Sequence, residues 1–234
     1  MATTLAPYVI DPAPQASLPV ADPAHPGARF PVRRIWCVGR NYAAHAREMG
    51  HSGREDPFFF AKPADALVPD NSTFDFPAAT GDLHHEIELV VALGAGGRDL
   101  TPRAAAAAVW GHAVGLDMTR RDLQAEAKRQ GRPWEMAKAF DASAPCTALV
   151  PATDGPLTRG TIRLAVNGAE RQRGDLADMI WPVAEAIAFL SRLVALRAGD
   201  LIFTGTPEGV GPVRPGDRLE GHIDGLPPLR VAYR

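Results

Sequence analysis

Thiols are scarce in this chain: Cys37 and Cys146 are the two cysteines among 234 residues, too few for the disulfide framework that holds small secreted domains together. Cys37 lies in the apolar run Arg34-Ile35-Trp36-Cys37-Val38, where a packed, inert thiol is expected rather than a nucleophile. An excess of either charge is missing as well. Lys plus Arg number 25 and Asp plus Glu 27, so the net charge is 25 − 27 = −2, which lends no electrostatic support to nucleic acid or a membrane surface as partner. No uninterrupted apolar run reaches the length of a membrane span, and the N-terminus lacks the basic-then-apolar order of a secretion signal. These absences lead to the expectation of a reduced, cytoplasmic protein. With 46% hydrophobic and 22% charged residues, the chain has the means to bury one proper core.

What the sequence does contain is concentrated in Asp82-Leu83-His84-His85-Glu86-Ile87-Glu88-Leu89-Val90-Val91-Ala92-Leu93. Its alternation predicts one strand over 82–93, with Ile87, Leu89, Val91 and Leu93 on one face. Glu86 and Glu88, two apart, then share the other face, whereas on a helix they would point roughly 200° apart. Adjacent carboxylates repel and are costly to desolvate, so the pair favours either a wet outer face or a shared cation. A third acid in similar company strengthens the cation. Gly115-Leu116-Asp117-Met118-Thr119 reads as a short buried strand ending on Asp117, after an Ala-rich helix over 103–112 that opens at Thr101-Pro102. Three hard oxygen ligands, without paired Cys or a closely spaced His pair, favour Mg²⁺ or Mn²⁺ over zinc.

Other groups suit chemistry but admit plainer explanations. His45 and Glu48 are three apart on a predicted helix over 43–49, where they form either a surface ion pair or a general base with its orienting carboxylate, carried on a lid next to the polar stretch 51–56. Lys62 ends the aromatic run Phe58-Phe59-Phe60-Ala61, and either reaches solvent or faces a buried anion. Lys138 stands in an equally apolar setting. Arg121 and Gln124, on a predicted helix over 119–129, are spaced to face one ligand. The glycine-rich stretch Gly205-Thr206-Pro207-Glu208-Gly209 follows the strand Leu201-Ile202-Phe203-Thr204, so backbone amides there can approach an anion closely, but the Lys-Ser/Thr ending of a nucleotide loop is absent. Strands are also expected over 146–150, 162–166, 218–223 and 229–233, with Asn167-Gly168 as a hairpin turn. Trp181-Pro182 opens a helix whose stripe is Val183, Ile187, Leu190 and Val194, with Gly199 as terminator. The Pro- and Ala-rich residues 1–31 form an arm, and 32–234 a single domain.

Taken in order, Gly39-Arg40-Asn41-Tyr42-Ala43-Ala44-His45, Phe60-Ala61-Lys62-Pro63, His85-Glu86-Ile87-Glu88-Leu89, Gly115-Leu116-Asp117-Met118-Thr119, Lys138-Ala139-Phe140-Asp141 and Asp200-Leu201-Ile202-Phe203-Thr204-Gly205-Thr206-Pro207 resemble the fumarylacetoacetate hydrolase family from about residue 33 to the C-terminus. The resemblance implies a β-rich α+β fold, with a mixed β-sheet rolled into a barrel-like core, peripheral helices and a homodimer. It makes Glu86, Glu88 and Asp117 ligands of Mg²⁺ or Mn²⁺, His45 and Glu48 the water-activating pair, and Lys138 the group that stabilises an enolate. Lys62, Arg121, Gln124, Gly205 and Thr206 match substrate-contacting positions. The Phe58-Phe59-Phe60 run looks closest to the bacterial branch that hydrolyses fumarylpyruvate, a small oxo acid of gentisate and aromatic-acid breakdown, to fumarate and pyruvate. Oxaloacetate decarboxylation, or hydration and isomerisation of 2-oxo-enoic acids, would use the same metal-enolate chemistry without an attacking water in the decarboxylase. A catalytically silent metal-binding module is the remaining alternative, and it has no use for His45, Glu48 and Lys138.

Overall fold

Strand Ile87–Leu93 is buried along its whole length and lies in the middle of the largest sheet. A computed structural model describes residues 8–43 and 55–234. In the eight-stranded sheet, Ile87–Leu93 pairs antiparallel with Asp200–Phe203 on one side and with Val109–Leu116 on the other. Asp200–Phe203 in turn runs parallel to Arg34–Val38, so the sheet is mixed. It continues through Phe59–Lys62 at one edge and through Ala144–Cys146 and Leu67–Pro69 at the other. A five-stranded sheet, ordered Ala169–Asp175, Thr161–Val166, Arg218–Ile223, Leu229–Tyr233 and Ser72–Phe74, packs against it. The result is a β-rich α+β fold whose main sheet curls into a half-barrel with few helices.

The two faces of Ile87–Leu93 serve two cores, as a two-residue side-chain period requires. Ile87, Leu89, Val91 and Leu93 meet the five-stranded sheet and helix Val183–Leu193, which contributes Val183, Ile187 and Leu190. Val90 and Ala92 point the other way, into a cluster with Leu18, Phe30 and Val32. Those last three come from the N-terminal segment, whose strands Ser17–Pro19 and Arg29–Pro31 form a hairpin. Five large apolar side chains on one strand, each contributing about 2 kcal/mol on burial, supply on the order of 10 kcal/mol gross. That sum lets the same strand tolerate a buried carboxylate at Glu88, whose desolvation costs several kcal/mol.

The predicted strand over 82–93 is in fact two. Leu83–His85 belongs to a three-stranded sheet with Thr119–Arg120 and Gly211–Val213, and the chain leaves strand geometry at Glu86 before entering the large sheet. The Ala-rich helix also stops early. It covers Pro102–Ala107, capped by the Thr101 hydroxyl, and Val109–Leu116 is strand because Val109, Gly111 and His112 pair with Leu93, Ala92 and Val91. Residues 146–150 split between Ala144–Cys146 and Val150–Pro151. Helix Val183–Leu193 is capped at Val194, and Gly199 instead takes a φ of 90° at the entry to Asp200–Phe203. Asn167 and Gly168, with φ of 52° and 79°, form the expected turn between Thr161–Val166 and Ala169–Asp175. No helix among the described residues is long and apolar enough to cross a membrane.

His112 ties this architecture to pH. It is buried, and its Nε2 accepts the Leu157 amide at 3.2 Å, so that nitrogen must be unprotonated. Burial lowers its pKa from 6.5 to about 4. Between those values the unfolded chain binds a proton that the folded one refuses, so the contribution is complete above pH 6.5 and fades as the pH falls toward 4. The His112→Gln variant is therefore expected to lose about 3 kcal/mol less stability than the parent between pH 7 and pH 4, as read from urea melts at both pH values.

Candidate metal centre

Glu86, Glu88 and Asp117 converge. One carboxylate oxygen from each lies within 4.8 Å of the others, and all three residues are buried. Glu86 sits at the break between two sheets, Glu88 is the second residue of Ile87–Leu93, and Asp117 follows the end of Val109–Leu116. Antiparallel pairing holds them in place: Ile87 is opposite Leu116, and the Asp117 amide donates to the Glu86 carbonyl at 2.9 Å.

Cations surround two of the three. Lys138 Nζ donates to Glu86 Oε2 at 2.7 Å and to Asp117 Oδ2 at 2.6 Å. Arg121 pairs with Glu86 Oε1, and its Nη1 donates to Gln124 Oε1 at 2.6 Å. Burial resists ionisation of Glu86, but the charges of Lys138 and Arg121 more than offset it and hold the carboxyl below its usual range. The Lys138 ammonium is likewise disfavoured by burial, yet Asp117 and Glu86 keep it above its usual value. Lys62 is buried, with Nζ 2.8 Å from Asp117 Oδ1, so it faces an anion and does not reach solvent. That contact is an ion pair without hydrogen-bond alignment, and Asp117 Oδ1 keeps its lone pairs.

Glu88 differs. Its described hydrogen bond is from the Gly205 amide to Oε2 at 2.7 Å, and no cation pairs with it among the described residues. Burial first, then the neighbouring Asp117 and Glu86 charges, push its carboxyl well above the usual range. A buried carboxylate facing two others is what a hard dication would stabilise, and each carboxylate has lone pairs to spare for one. The donor set therefore fits Mg²⁺ or Mn²⁺. Gly205 reaches Glu88 only because it lacks a side chain: its φ is 97°, and a Cβ there would lie 2.7 Å from that of Asn41.

Glu86, Arg121, Gln124 and Lys138 also line a cavity of about 390 Å³, which Arg40, Lys128 and the rings of Phe58, Phe60 and Trp134 complete. Among the residues expected at the site, Glu86, Glu88, Asp117, Lys138, Lys62, Arg121, Gln124 and Gly205 thus come together. Thr206 is buried close by, where its hydroxyl accepts from Gln172 Nε2 at 2.8 Å. His45 and Glu48 lie outside the described residues. Sequence reasoning passed over Arg40, Lys128 and Gln172. Lys128 had a signal, since Arg121, Gln124 and Lys128 fall at i, i+3 and i+7 on helix Arg121–Gln130. Gln172 had none: its Oε1 accepts from His85 Nδ1 and the Ile87 amide, so from a strand of another sheet it holds the His85 ring on one side of Glu86 and the Ile87 backbone on the other.

Known proteins resemble this chain along most of its length. The chain is 44% identical over 198 residues to oxaloacetate tautomerase YcgM of Escherichia coli (strain K12), covering 84% of this chain and 90% of that one. It is also 44% identical over 207 residues to the mitochondrial oxaloacetate tautomerase of Homo sapiens, covering 85% and 94%. The crystal structure of fumarylpyruvate hydrolase from Pseudomonas aeruginosa, in complex with Mn²⁺ and pyruvate, superposes with a TM-score of 0.92 at 53% identity, covering 97% of this chain and 99% of that one. Residues 34–232 match the family described as fumarylacetoacetate (FAA) hydrolase C-terminal, a span that holds all three carboxylates and their lysines. The chain belongs to the fumarylacetoacetate hydrolase family.

Proposed function

We propose that this protein is a metal-dependent acylpyruvate hydrolase, with fumarylpyruvate as favoured substrate and fumarate and pyruvate as products. The observation that carries the proposal is the buried cluster of Glu86, Glu88 and Asp117, with Lys138 bridging two of them at the edge of a cation-lined cavity. The likeness to the Pseudomonas aeruginosa hydrolase supports that substrate, because it is higher in identity than that to the tautomerases and extends over 97% of the chain rather than 84–85%.

Glu86, Glu88 and Asp117 would hold Mg²⁺ or Mn²⁺, which when bound polarises the 2-oxo acid end of a substrate as a Lewis acid. Charge matching favours a doubly charged ligand. The three carboxylates are balanced by Lys62, Lys138 and Arg121, so a dication leaves an excess of two, equal to the charge of a pyruvate enolate. In the proposed reaction His45, oriented by Glu48, removes a proton from water as it adds to the distal carbonyl carbon. The bond between that carbon and the adjacent methylene then breaks, and its electron pair becomes the enolate of pyruvate. Lys138 donates a hydrogen bond to the enolate oxygen, and a proton returned to the methylene carbon completes pyruvate. Gln124 and Arg121, already fixed to each other and to Glu86, would orient the substrate.

The alternative, oxaloacetate tautomerisation or decarboxylation, has the curated relatives in its favour and needs no attacking water. The His45→Ala variant separates the two. With Mn²⁺ present, loss of the ultraviolet absorbance of fumarylpyruvate is expected to slow at least about a hundredfold in this variant, while Mn²⁺ affinity by calorimetry stays within about twofold. Hydrolysis at the parent rate would show that His45 is not the base, and a parent enzyme inert toward acylpyruvates would leave the tautomerase reading in its place.

A further inference from the structure

Of the four cations that line the cavity, Arg121 and Lys138 pair with the acidic cluster, but Arg40 and Lys128 do not. Arg40 stacks its guanidinium over the Phe58 ring, with Cζ 5.0 Å from the centroid, and its Nη1 is buried without a hydrogen-bond partner among the described residues. A buried guanidinium nitrogen with no acceptor is unfavourable unless a ligand supplies one. Lys128 holds its ammonium 5.0 Å from the Trp134 centroid, and no carboxylate pairs with it among the described residues. The Phe58 and Trp134 rings touch edge to face at 5.5 Å, so the two cations stand on one continuous aromatic wall. Phe60, 6.0 Å from Trp134, separates that wall from Lys138, whose Nζ lies 5.0 Å from the Phe60 centroid. The cavity therefore has positive charge at two places, one against the carboxylate cluster and one beyond the aromatic rings.

We infer that Arg40 and Lys128 form a subsite for a second carboxylate on the substrate, so that the cavity selects 2-oxo acids that are anionic at both ends. Arg40 is the principal element, because its donor is buried and its planar fork matches a carboxylate. Lys128 is exposed at the cavity mouth and adds a weaker, screened attraction. Phe58, Phe60 and Trp134 would flank the apolar carbons between the two charged ends. The inference rests on the proposed function for the identity of the first end, and it deepens that reading by assigning the residues that read the distal carboxylate of fumarylpyruvate.

The test compares binding of 2-oxoheptanedioate and 2-oxoheptanoate, equal in carbon number and different in one terminal carboxylate, to the Mn²⁺-loaded protein by titration calorimetry. The parent is expected to prefer the diacid by at least about tenfold, the worth of one charge-assisted hydrogen bond in a sheltered site. Arg40→Met should reduce that ratio to less than about twofold, and Lys128→Met should reduce it by about threefold, through weaker binding of the diacid. Lys128→Met is a surface change that keeps the test open should Arg40→Met fail to fold. Equal affinity of the parent for both ligands, or a ratio that survives in Lys128→Met and in any folded Arg40 variant, overturns the inference. Binding requires no turnover, so a protein that prefers the diacid yet hydrolyses no acylpyruvate would refute the proposed reaction and leave this subsite standing.

Discussion

Replacement of Glu88 by Gln is expected to raise the melting temperature of the metal-free protein while lowering its affinity for Mn²⁺ by about three powers of ten. The two effects share one cause. Glu88 is buried beside Asp117 and Glu86, receives one backbone hydrogen bond, and has no cationic partner among the described residues, so until a cation arrives folding must either hold its charge there or force the carboxyl toward its protonated form, and both oppose folding. A neutral amide keeps the size of the side chain and the bond from Gly205 but removes the repulsion. Relief of that kind stabilises by about 1 kcal/mol or more, roughly 2–4 °C for a domain of this length. For the metal, a lost unit charge at about 4 Å is worth roughly 4 kcal/mol per charge of the ion even at an effective dielectric near 20, which gives the thousandfold loss as a lower bound. Turnover of fumarylpyruvate should fall by about 10⁴ at fixed Mn²⁺. Asp117→Ala offers the contrast. It should abolish metal-dependent turnover too, but it removes the carboxylate that Lys62 faces and one of the two that hold Lys138, and should lower the melting temperature. Thermal melts with and without Mn²⁺, alongside calorimetric titration of the metal, read both signs. A Glu88→Gln protein that melts lower without metal, or binds Mn²⁺ as the parent does, would remove Glu88 from the centre.

The carboxylate cluster was legible because its signal is local and chemical. Carboxylates at Glu86 and Glu88 interrupt an apolar run where solvation would not put them, and Asp117 ends another such run. The break at Glu86 was not legible, since it depends on partners: 83–85 pairs with 119–120 and 211–213, while 87–93 pairs with 200–203 and 109–116. Likewise, Ala104 to Ala108 carry a strong helix preference toward Val109, but cross-strand pairing of Val109, Gly111 and His112 overrides it. Arg40 and Lys128 escaped for a different reason. Arg40 looks like any arginine after a glycine until the fold sets Phe58 beneath it and leaves its Nη1 without an acceptor.

Lys138→Met should separate stability, metal affinity and catalysis in a way that no simple structural defect does. Methionine retains most of the aliphatic stem against Phe60, and the Lys138 carbonyl that accepts from Lys62 Nζ and Ser143 Oγ is untouched. What disappears is the ammonium shared by Glu86 Oε2 and Asp117 Oδ2. Without metal, those buried oxygens then lose their common partner, at a cost of about 3 kcal/mol. With metal, the balance reverses, because a dication no longer competes with an ammonium for the same two carboxylates. Mn²⁺ affinity should therefore rise, by roughly tenfold, and saturating Mn²⁺ should recover most of the lost stability. The rate should not recover. An enolate oxygen deprived of a preorganised cationic donor loses roughly 10³ in kcat, with KM moving far less, as expected of a contact that strengthens when the charge develops. Steady-state kinetics on fumarylpyruvate, Mn²⁺ titration and paired melts measure the three quantities on one preparation. Weaker Mn²⁺ binding in Lys138→Met would mean that the ammonium holds the carboxylates in place rather than competing for them, and a kcat close to the parent value would take Lys138 out of the proposed chemistry.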